Sequence, residues 1–222
     1  MENLQVHIKV DAELYTRNPD ETELGRKIIS NGIQLLHELG FEAFTFKKLG
    51  ERIGSPESSI YRYFENKHAL LIYLVAWYWS WVDYKLAFAT TNIESASERL
   101  KRALNILVLP VKIDHSISYV DERILSEIII TESVKAHHTK DIDAINKKGH
   151  FKKYKQVVQR VSDIVSEVNP AFEFPHMLIS TVIEGVHSQR YFAAHLPALT
   201  DVKNEEDAIS SFYTQMVHST LK

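Results

Sequence analysis

The sequence contains no cysteine. That absence excludes disulfides, thiolate metal sites and a cysteine nucleophile, and it fits a reducing compartment. A long hydrophobic run is also missing, because the longest one, residues 69–82, has only fourteen residues, whereas a membrane-spanning helix needs about 20. The first residues lack a basic segment followed by an apolar one, so we expect no secretory signal peptide. We therefore expect a soluble, cytoplasmic protein without membrane contact.

The sequence also lacks an excess of basic residues. Its 222 residues include 26 Lys and Arg against 29 Asp and Glu, for a formal net charge of -3. Any surface that binds nucleic acid must therefore be local. With 45% hydrophobic and 25% charged residues, the composition is that of an ordinary globular protein. A chain of this length can bury an adequate core without a metal or a disulfide.

Glycine is scarce outside one short stretch of the chain. Five of the seven glycines lie within residues 25–54, and the other two are Gly149 and Gly185. All six prolines fall between segments of helical periodicity, where proline does not break a helix. The apolar spacing predicts an all-α protein with helices near residues 21–39, 45–53, 56–64, 67–89, 96–108, 117–138, 141–168, 176–195 and 205–220.

The first residues of the chain alternate between apolar and polar types. The apolar positions are Leu4, Val6, Ile8, Val10, Ala12 and Leu14. A period of two indicates an extended arm, which pairing between subunits or packing against the helices would bury. A partly ordered tail is an equal alternative.

Residues 44–68, FTFKKLGERIGSPESSIYRYFENKH, predict a helix, a glycine turn and a second helix. The inward-facing residues would be Leu49 and Ile53, then Ile60 and Phe64. Backbone N–H groups at the exposed start of the second helix would favour phosphate. Polar side chains suited to DNA contact cluster in and after this helix: Ser55, Glu57, Ser58, Ser59, Tyr61, Arg62, Tyr63 and Lys67. This combination is typical of a recognition helix in the major groove.

The same segment resembles the TetR family of bacterial transcriptional regulators. The resemblance covers about residues 24–72 and rests on Thr45, Gly54, the run Ile60-Tyr61-Arg62-Tyr63-Phe64, Lys67 and Leu70-Leu71. It implies a ligand-responsive repressor that binds a pseudo-palindromic operator in double-stranded DNA as a homodimer, together with a small-molecule effector. The implied organisation is an N-terminal arm (1–19), a three-helix helix-turn-helix domain (20–66) and a larger helical domain for ligand binding and dimerisation (67–222).

The resemblance also implies individual roles. Base edges would be contacted by Lys47, Glu57, Ser58, Ser59 and Tyr61, and phosphates by Thr45, Tyr63 and Lys67. Ser55 and Arg62 complete the predicted DNA-binding set. Phosphate contacts set the register of a protein on the duplex, and base contacts specify the sequence.

An aromatic stripe follows the helix-turn-helix segment. Its members are Tyr73, Trp77, Trp81, Tyr84 and Phe88, at helical spacing. They predict a pocket for an apolar or aromatic ligand, although such stripes are more typical of core packing.

The last two helices are also apolar, and the TetR resemblance makes them the dimer interface. The interface candidates are Ile179, Ile183, Val186, Phe212 and Met216. An intramolecular core is the alternative.

The sequence carries no HExxH, GxSxG, Walker or GxGxxG motif. Glu184 and His187 have the Glu-x-x-His spacing of di-iron helix bundles, but the other copy, Glu65 and His68, falls in the turn after the recognition helix. We therefore predict no catalytic residue, no metal and no cofactor. The alternatives are a ferritin-like metal-binding enzyme, which would contain iron or manganese when purified, and a protein-interaction adaptor, which would show no salt-dependent DNA binding.

Glu57 provides a first test. Phosphate repels a carboxylate, but a carboxylate can accept a hydrogen bond from cytosine N4. We expect Glu57→Ala to change which sequences bind more than it lowers nonspecific affinity, as measured by fluorescence anisotropy on a panel of duplexes. A uniform loss of affinity across all sequences would contradict this role.

Overall fold

The computed structural model describes residues 7–113, 119–137, 142–147, 149–202 and 207–222. Within these ranges lie ten α-helices: α1 Glu23–Ala43, α2 Phe46–Ile53, α3 Glu57–Ile60, α4 Lys67–Thr90, α5 Ala96–Val108, α6 Glu122–His137, α7 Ile142–Lys147, α8 Lys152–Val168, α9 Pro175–His195 and α10 Asp207–Thr220. The described residues include no β-strand, so the all-α prediction is confirmed. None of their helices combines the length and hydropathy that a bilayer crossing requires.

One of the predicted helices is wrong. The single helix over 141–168 is replaced by α7 and α8, because Gly149 takes a left-handed conformation (φ +80°) between them. The described part of the arm, residues 7–14, has no strand and ends in a 3-10 turn at Ala12–Leu14; Leu4 and Val6 lie outside the described residues. Ile8 and Leu14 are nevertheless buried, so this part of the arm is packed.

The chain divides into two units. The N-terminal unit comprises Met1–Ser80 and Val111–Lys152, and the C-terminal unit comprises Trp81–Pro110 and Lys153–Lys222. The division falls inside α4. The helix-turn-helix segment therefore shares its unit with the first half of α4 and with α6.

In the N-terminal unit, α1 is the central helix. The Thr22 hydroxyl accepts a hydrogen bond from the Gly25 N–H (2.9 Å) and so caps its start, as threonine commonly does. Its buried residues, among them Ile28, Ile29 and Leu36, form the core with Leu49, Ile60, Phe64 and Leu70. On its outer side, His37 contacts Glu127 of α6 (Nε2–Oε2 2.6 Å).

In the C-terminal unit, α5, α8, α9 and α10 bury one apolar stripe each. The fully buried residues include Leu100, Leu104, Val161, Val165, Ile179, Val182 and Val217. Polar side chains join the ends of these helices. Arg190 donates to the Val108 carbonyl (2.7 Å), and Asn169 donates to the Leu221 carbonyl (3.2 Å).

Two glycines of α1 give a matched test of packing. A Cβ on Gly25 would lie 2.2 Å from the Pro19 carbonyl oxygen, whereas a Cβ on Gly32 would meet its nearest neighbour, Leu70 Cδ2, at 3.5 Å. We expect Gly25→Ala to lower the free energy of unfolding by about 1–3 kcal/mol through overpacking. Gly32→Ala should raise it by about 0.5–1 kcal/mol, because alanine loses less backbone entropy in a helix.

Urea unfolding of both variants measures the difference. Equal effects of the two substitutions would contradict the close approach of Pro19 to α1.

Candidate nucleic-acid interface

Local sequence signals define the turn between α2 and α3. The Thr45 hydroxyl accepts a hydrogen bond from the Lys48 N–H (3.2 Å) and caps α2. Gly54 ends the helix in the left-handed conformation (φ 67°, ψ 35°), which glycine adopts without steric cost. A Cβ on Gly50 would lie 2.6 Å from the Ser55 carbonyl oxygen. A side chain at position 50 would therefore collide with the turn, and one at position 54 would strain its backbone.

The second helix is shorter than predicted. Only Glu57–Ile60 are helical, and residues 61–63 continue as a turn. We call residues 57–63 the recognition turn. Ile60 at its centre is fully buried, as are Leu49 of α2 and Phe64. This apolar underside fixes the direction in which the remaining side chains point.

Glu57 and Tyr61 form a pair on the exposed side of the recognition turn. Tyr61 is 49% exposed, and its ring lies edge-on to Phe46 with centroids 5.1 Å apart. Its hydroxyl donates to Glu57 Oε1 at 3.2 Å, and this hydrogen bond raises the pKa of Tyr61. Removal of the Glu57 carboxylate would therefore also remove the hydrogen-bond partner of the Tyr61 hydroxyl.

The other residues of the predicted DNA-binding set, apart from Tyr63 and Lys67, are also at least partly exposed. Lys47 and Ser58 are exposed, Ser55 and Ser59 are partly exposed, and Arg62 is exposed on the recognition turn. Thr45 is exposed as well, and its hydroxyl hydrogen can still be donated while the oxygen caps α2. Together with Glu57 and Tyr61, these side chains form one polar ridge.

Tyr63 is a correction to the predicted set. It is only 1% exposed, and its hydroxyl is hydrogen-bonded to the Thr22 hydroxyl at 2.7 Å. The position follows Ile60 by three residues and precedes Phe64, so it lies on the buried side of the turn. A surface role on phosphate is wrong for this side chain, and the i, i+3 spacing could have revealed it.

Lys67 also differs from its predicted role. Its Nζ donates to the carbonyls of Phe41 (2.8 Å), Glu42 (3.1 Å) and Phe44 (3.4 Å). An ammonium group has three hydrogens, so these three acceptors use them all. The positive charge is favourable at the carbonyl end of α1. Lys67 therefore positions the start of α2, and no donor remains for phosphate.

Glu132 of α6 completes this junction, and sequence reasoning missed it. Gly40 kinks α1 (φ 70°, ψ 164°), and the Phe41 N–H after the kink donates to Glu132 Oε1 at 3.2 Å. Lys135 pairs with the other carboxylate oxygen (2.8 Å). The bonded residues are 91 positions apart, so no local pattern could have predicted the contact.

The aromatic stripe serves different purposes along α4. In the N-terminal unit, Tyr73 and Trp77 are each 1% exposed. Tyr73 lies edge-on to Phe64 (5.2 Å) and donates to Asp20 (3.4 Å). Burial, with the Asp20 carboxylate, raises the pKa of Tyr73. These two rings are core residues of their unit.

In the C-terminal unit, Trp81 is buried, with Lys85 Nζ 4.8 Å from its ring centroid. Tyr84 and Phe88 are 40% and 79% exposed, and their rings stack at 6.5 Å. Rings in solvent do not enclose a cavity within this chain. The predicted ligand pocket is therefore wrong for Tyr84 and Phe88.

Three of the predicted interface residues are also wrong. Ile179, Ile183 and Val186 are at most 2% exposed within the single chain, so the intramolecular alternative is correct for them. Phe212 is 59% exposed and Met216 is partly exposed. Tyr191 of α9 is exposed too, and the exposed apolar residues that sequence reasoning missed in this region are Phe174, Met177, Leu196 and Leu199.

The Glu-x-x-His pair does not make a metal site with its surroundings. Glu184 accepts a hydrogen bond from the Tyr154 hydroxyl at 2.7 Å. Across the described ranges, no three His, Asp or Glu side chains come close enough to hold a metal ion. The metal-enzyme alternative is therefore not favoured.

Lys67 and Lys47 provide a matched test of their roles. We expect Lys67→Met to lower the free energy of unfolding by about 2 kcal/mol, because three carbonyls lose a charged donor. The exposed Lys47→Met should change it by less than about 0.5 kcal/mol and weaken DNA binding. Urea unfolding and fluorescence anisotropy on a mixed-sequence duplex measure both properties. If Lys67→Met bound DNA more weakly but kept its stability, Lys67 would contact phosphate as the sequence predicted.

Comparisons with known proteins agree with this geometry. Residues 28–74 match the family model described as bacterial regulatory proteins, tetR family. The tetracycline repressor protein class G of Vibrio anguillarum is 41% identical over 44 residues, which are 20% of this chain and 21% of that repressor. The aligned part thus spans about a fifth of the curated relative.

Two solved structures share the fold over most of the chain. AibR in complex with isovaleryl coenzyme A and operator DNA has a TM-score of 0.57 at 15% identity, covering 87% of this chain and 97% of AibR. The TetR family transcriptional regulator PfmR from Thermus thermophilus has a TM-score of 0.58 at 11% identity, covering 86% and 97%. Residues 28–74 are therefore similar to the tetR family of bacterial regulatory proteins, and most of the chain has the fold of these two solved structures.

Proposed function

We propose that this protein is a ligand-responsive, sequence-specific DNA-binding transcriptional regulator and that it acts as a repressor. The observation that carries the proposal is the polar ridge on α2 and the recognition turn. It is exposed on one side and rests on the buried Leu49, Ile60 and Phe64. It also lies inside the segment that matches the family model.

The chemistry of the ridge suits a duplex. Lys47 and Arg62 offer positive charge, and the Glu57 carboxylate and the Tyr61 hydroxyl oxygen offer acceptors for base edges. We assign base-edge contacts to Lys47, Glu57, Ser58, Ser59 and Tyr61. Thr45 and Arg62 would contact phosphates, with Ser55 at the edge of the ridge. Tyr63 and Lys67 would support these residues from beneath.

A single subunit would bind weakly. Residues 24–68 carry seven basic and five acidic residues, and the affinity of proteins for DNA depends largely on neutralising phosphates. We therefore propose a two-fold homodimer that reads two half-sites about one helical turn apart. The exposed residues Met177, Tyr191 and Phe212 are the best-supported interface of the C-terminal unit, replacing the buried Ile179, Ile183 and Val186.

We further propose a small effector with an apolar or aromatic group. The support is the solved structure of AibR, which shares the fold and contains isovaleryl coenzyme A. An effector can shift DNA binding only as far as it prefers one arrangement of the protein over another. Such a regulator is not an enzyme and works in the cytoplasm, where it meets its operator.

Selection of genomic fragments bound by the purified protein tests the function directly. The expected result is enrichment of a pseudo-palindrome, with an affinity that falls steeply as salt rises. An absence of enrichment, together with no salt-dependent binding to any duplex, would refute the proposal. Retention of iron or manganese by the purified protein would favour the metal enzyme instead.

The dimer face has its own test. We expect the double variant Met177→Glu/Phe212→Glu to be a monomer, because two buried carboxylates would stay unpaired in an apolar interface. Analytical ultracentrifugation measures the mass, and fluorescence anisotropy should show at least about tenfold weaker operator binding.

Phe88→Glu is the matched control, since Phe88 is exposed on another helix and should leave the protein a dimer. A double variant that remains a dimer would place the interface elsewhere.

A further inference from the structure

The segment before α1 lies against the recognition turn. The Thr16 N–H donates to the Tyr63 carbonyl at 2.9 Å. The guanidinium carbon of the next residue, Arg17, lies 5.5 Å from the centroid of the Tyr63 ring. Tyr63 thus supplies both a hydrogen-bond acceptor and an aromatic surface to the arm.

Other contacts hold the arm on both sides of Arg17. Leu14 is 6% exposed, and the ring of Tyr15 lies edge-on to Tyr73 at 6.1 Å. On the other side, Pro19 is buried and its carbonyl oxygen approaches Gly25. Arg17 is therefore attached to an ordered backbone, and its position beside the recognition turn is set in advance.

The charge of Arg17 is available. The side chain is exposed and forms no ion pair within the described part of the chain. The acidic residues nearest in sequence are Glu13, Asp20 and Glu21. Glu21 accepts from Asn18 (3.0 Å), Asp20 accepts from the hydroxyls of Tyr73 and Tyr119, and none of the three forms an ion pair with the guanidinium.

We propose that Arg17 contacts a backbone phosphate beside the groove that the recognition turn enters, which makes the arm part of the DNA interface. The inference rests on the proposed function. A guanidinium that lies on an aromatic ring keeps its planar N–H edge free, and this edge suits phosphate oxygens. Arg62, exposed on the same turn, would provide a second cation nearby.

Phosphate is a better partner for Arg17 than a base edge. The arm is outside the α2–α3 pair that presents the polar ridge, and phosphates flank the groove into which such a ridge fits. In this proposal the buried Tyr63 does not contact phosphate itself. Its ring and its carbonyl hold the arm so that Arg17 makes the contact.

The test compares Arg17→Gln with Arg102→Gln on the full-length protein. Arg102 is an exposed arginine of the C-terminal unit, paired with Glu98 (2.8 Å), so both variants lose one positive charge. The probe is a mixed-sequence duplex of about 30 base pairs, because phosphate contacts do not depend on the operator. Fluorescence anisotropy between about 50 and 300 mM KCl gives the affinity and its salt slope.

We expect Arg17→Gln to bind about five- to tenfold more weakly at low salt than the wild type. The slope of log affinity against log salt should fall by about 0.9 for each phosphate that the protein no longer neutralises. Arg102→Gln should match the wild type. Arg17→Lys, which keeps the charge but not the planar edge, should lie in between. Unchanged thermal unfolding of all variants confirms that the fold is intact.

The outcomes separate the two proposals. If the wild type shows no salt-dependent DNA binding, the proposed function fails and this inference fails with it. If the wild type binds DNA and Arg17→Gln has the same affinity and salt slope as Arg102→Gln, the proposed function is retained and the phosphate contact of Arg17 is refuted. A weaker affinity of Arg17→Gln with an unchanged salt slope also refutes the contact, because it would show a structural role for the arm.

Discussion

Two charged side chains satisfy the backbone groups at the end of α1, and the position of the polar ridge depends on them. Lys67 donates to three carbonyls around residues 41–44, and Glu132 accepts from the Phe41 N–H that follows the kink at Gly40. Only two residues, Phe44 and Thr45, separate α1 from α2. The direction of α2 is therefore set by the same junction that joins α1, α4 and α6.

The recognition turn is stable because its underside is buried. A helix of one turn does not persist in water, since nucleation costs more than one hydrogen bond returns. Ile60, Tyr63 and Phe64 supply the packing from one side of the turn. Glu57, Tyr61 and Arg62 are thereby held on the other side. Because the recognition turn is so short, it depends for its rigidity on contacts with residues that are distant in the chain.

Helix α9 shows how one element can serve two surfaces. Its inner stripe, including Ile179 and Ile183, fills the core of the C-terminal unit, and its outer stripe carries Met177 and Tyr191 in solvent. Exposed apolar groups of this size are typical of surfaces that bind another protein. In the homodimer proposed above, a second copy of the chain would cover this surface.

The sequence by itself determined the helical class, most helix bounds and the place of the turn. Residues 96–108 were predicted as a helix and form α5 with the same bounds, and Thr45 and Gly54 mark α2 because capping and left-handed glycine are local effects. Tertiary structure decided the partners of Lys67, the packing of the arm and the burial of Ile179. Each depends on which residues, distant in the chain, approach one another, and helical periodicity shows only that a face is apolar, not what covers it.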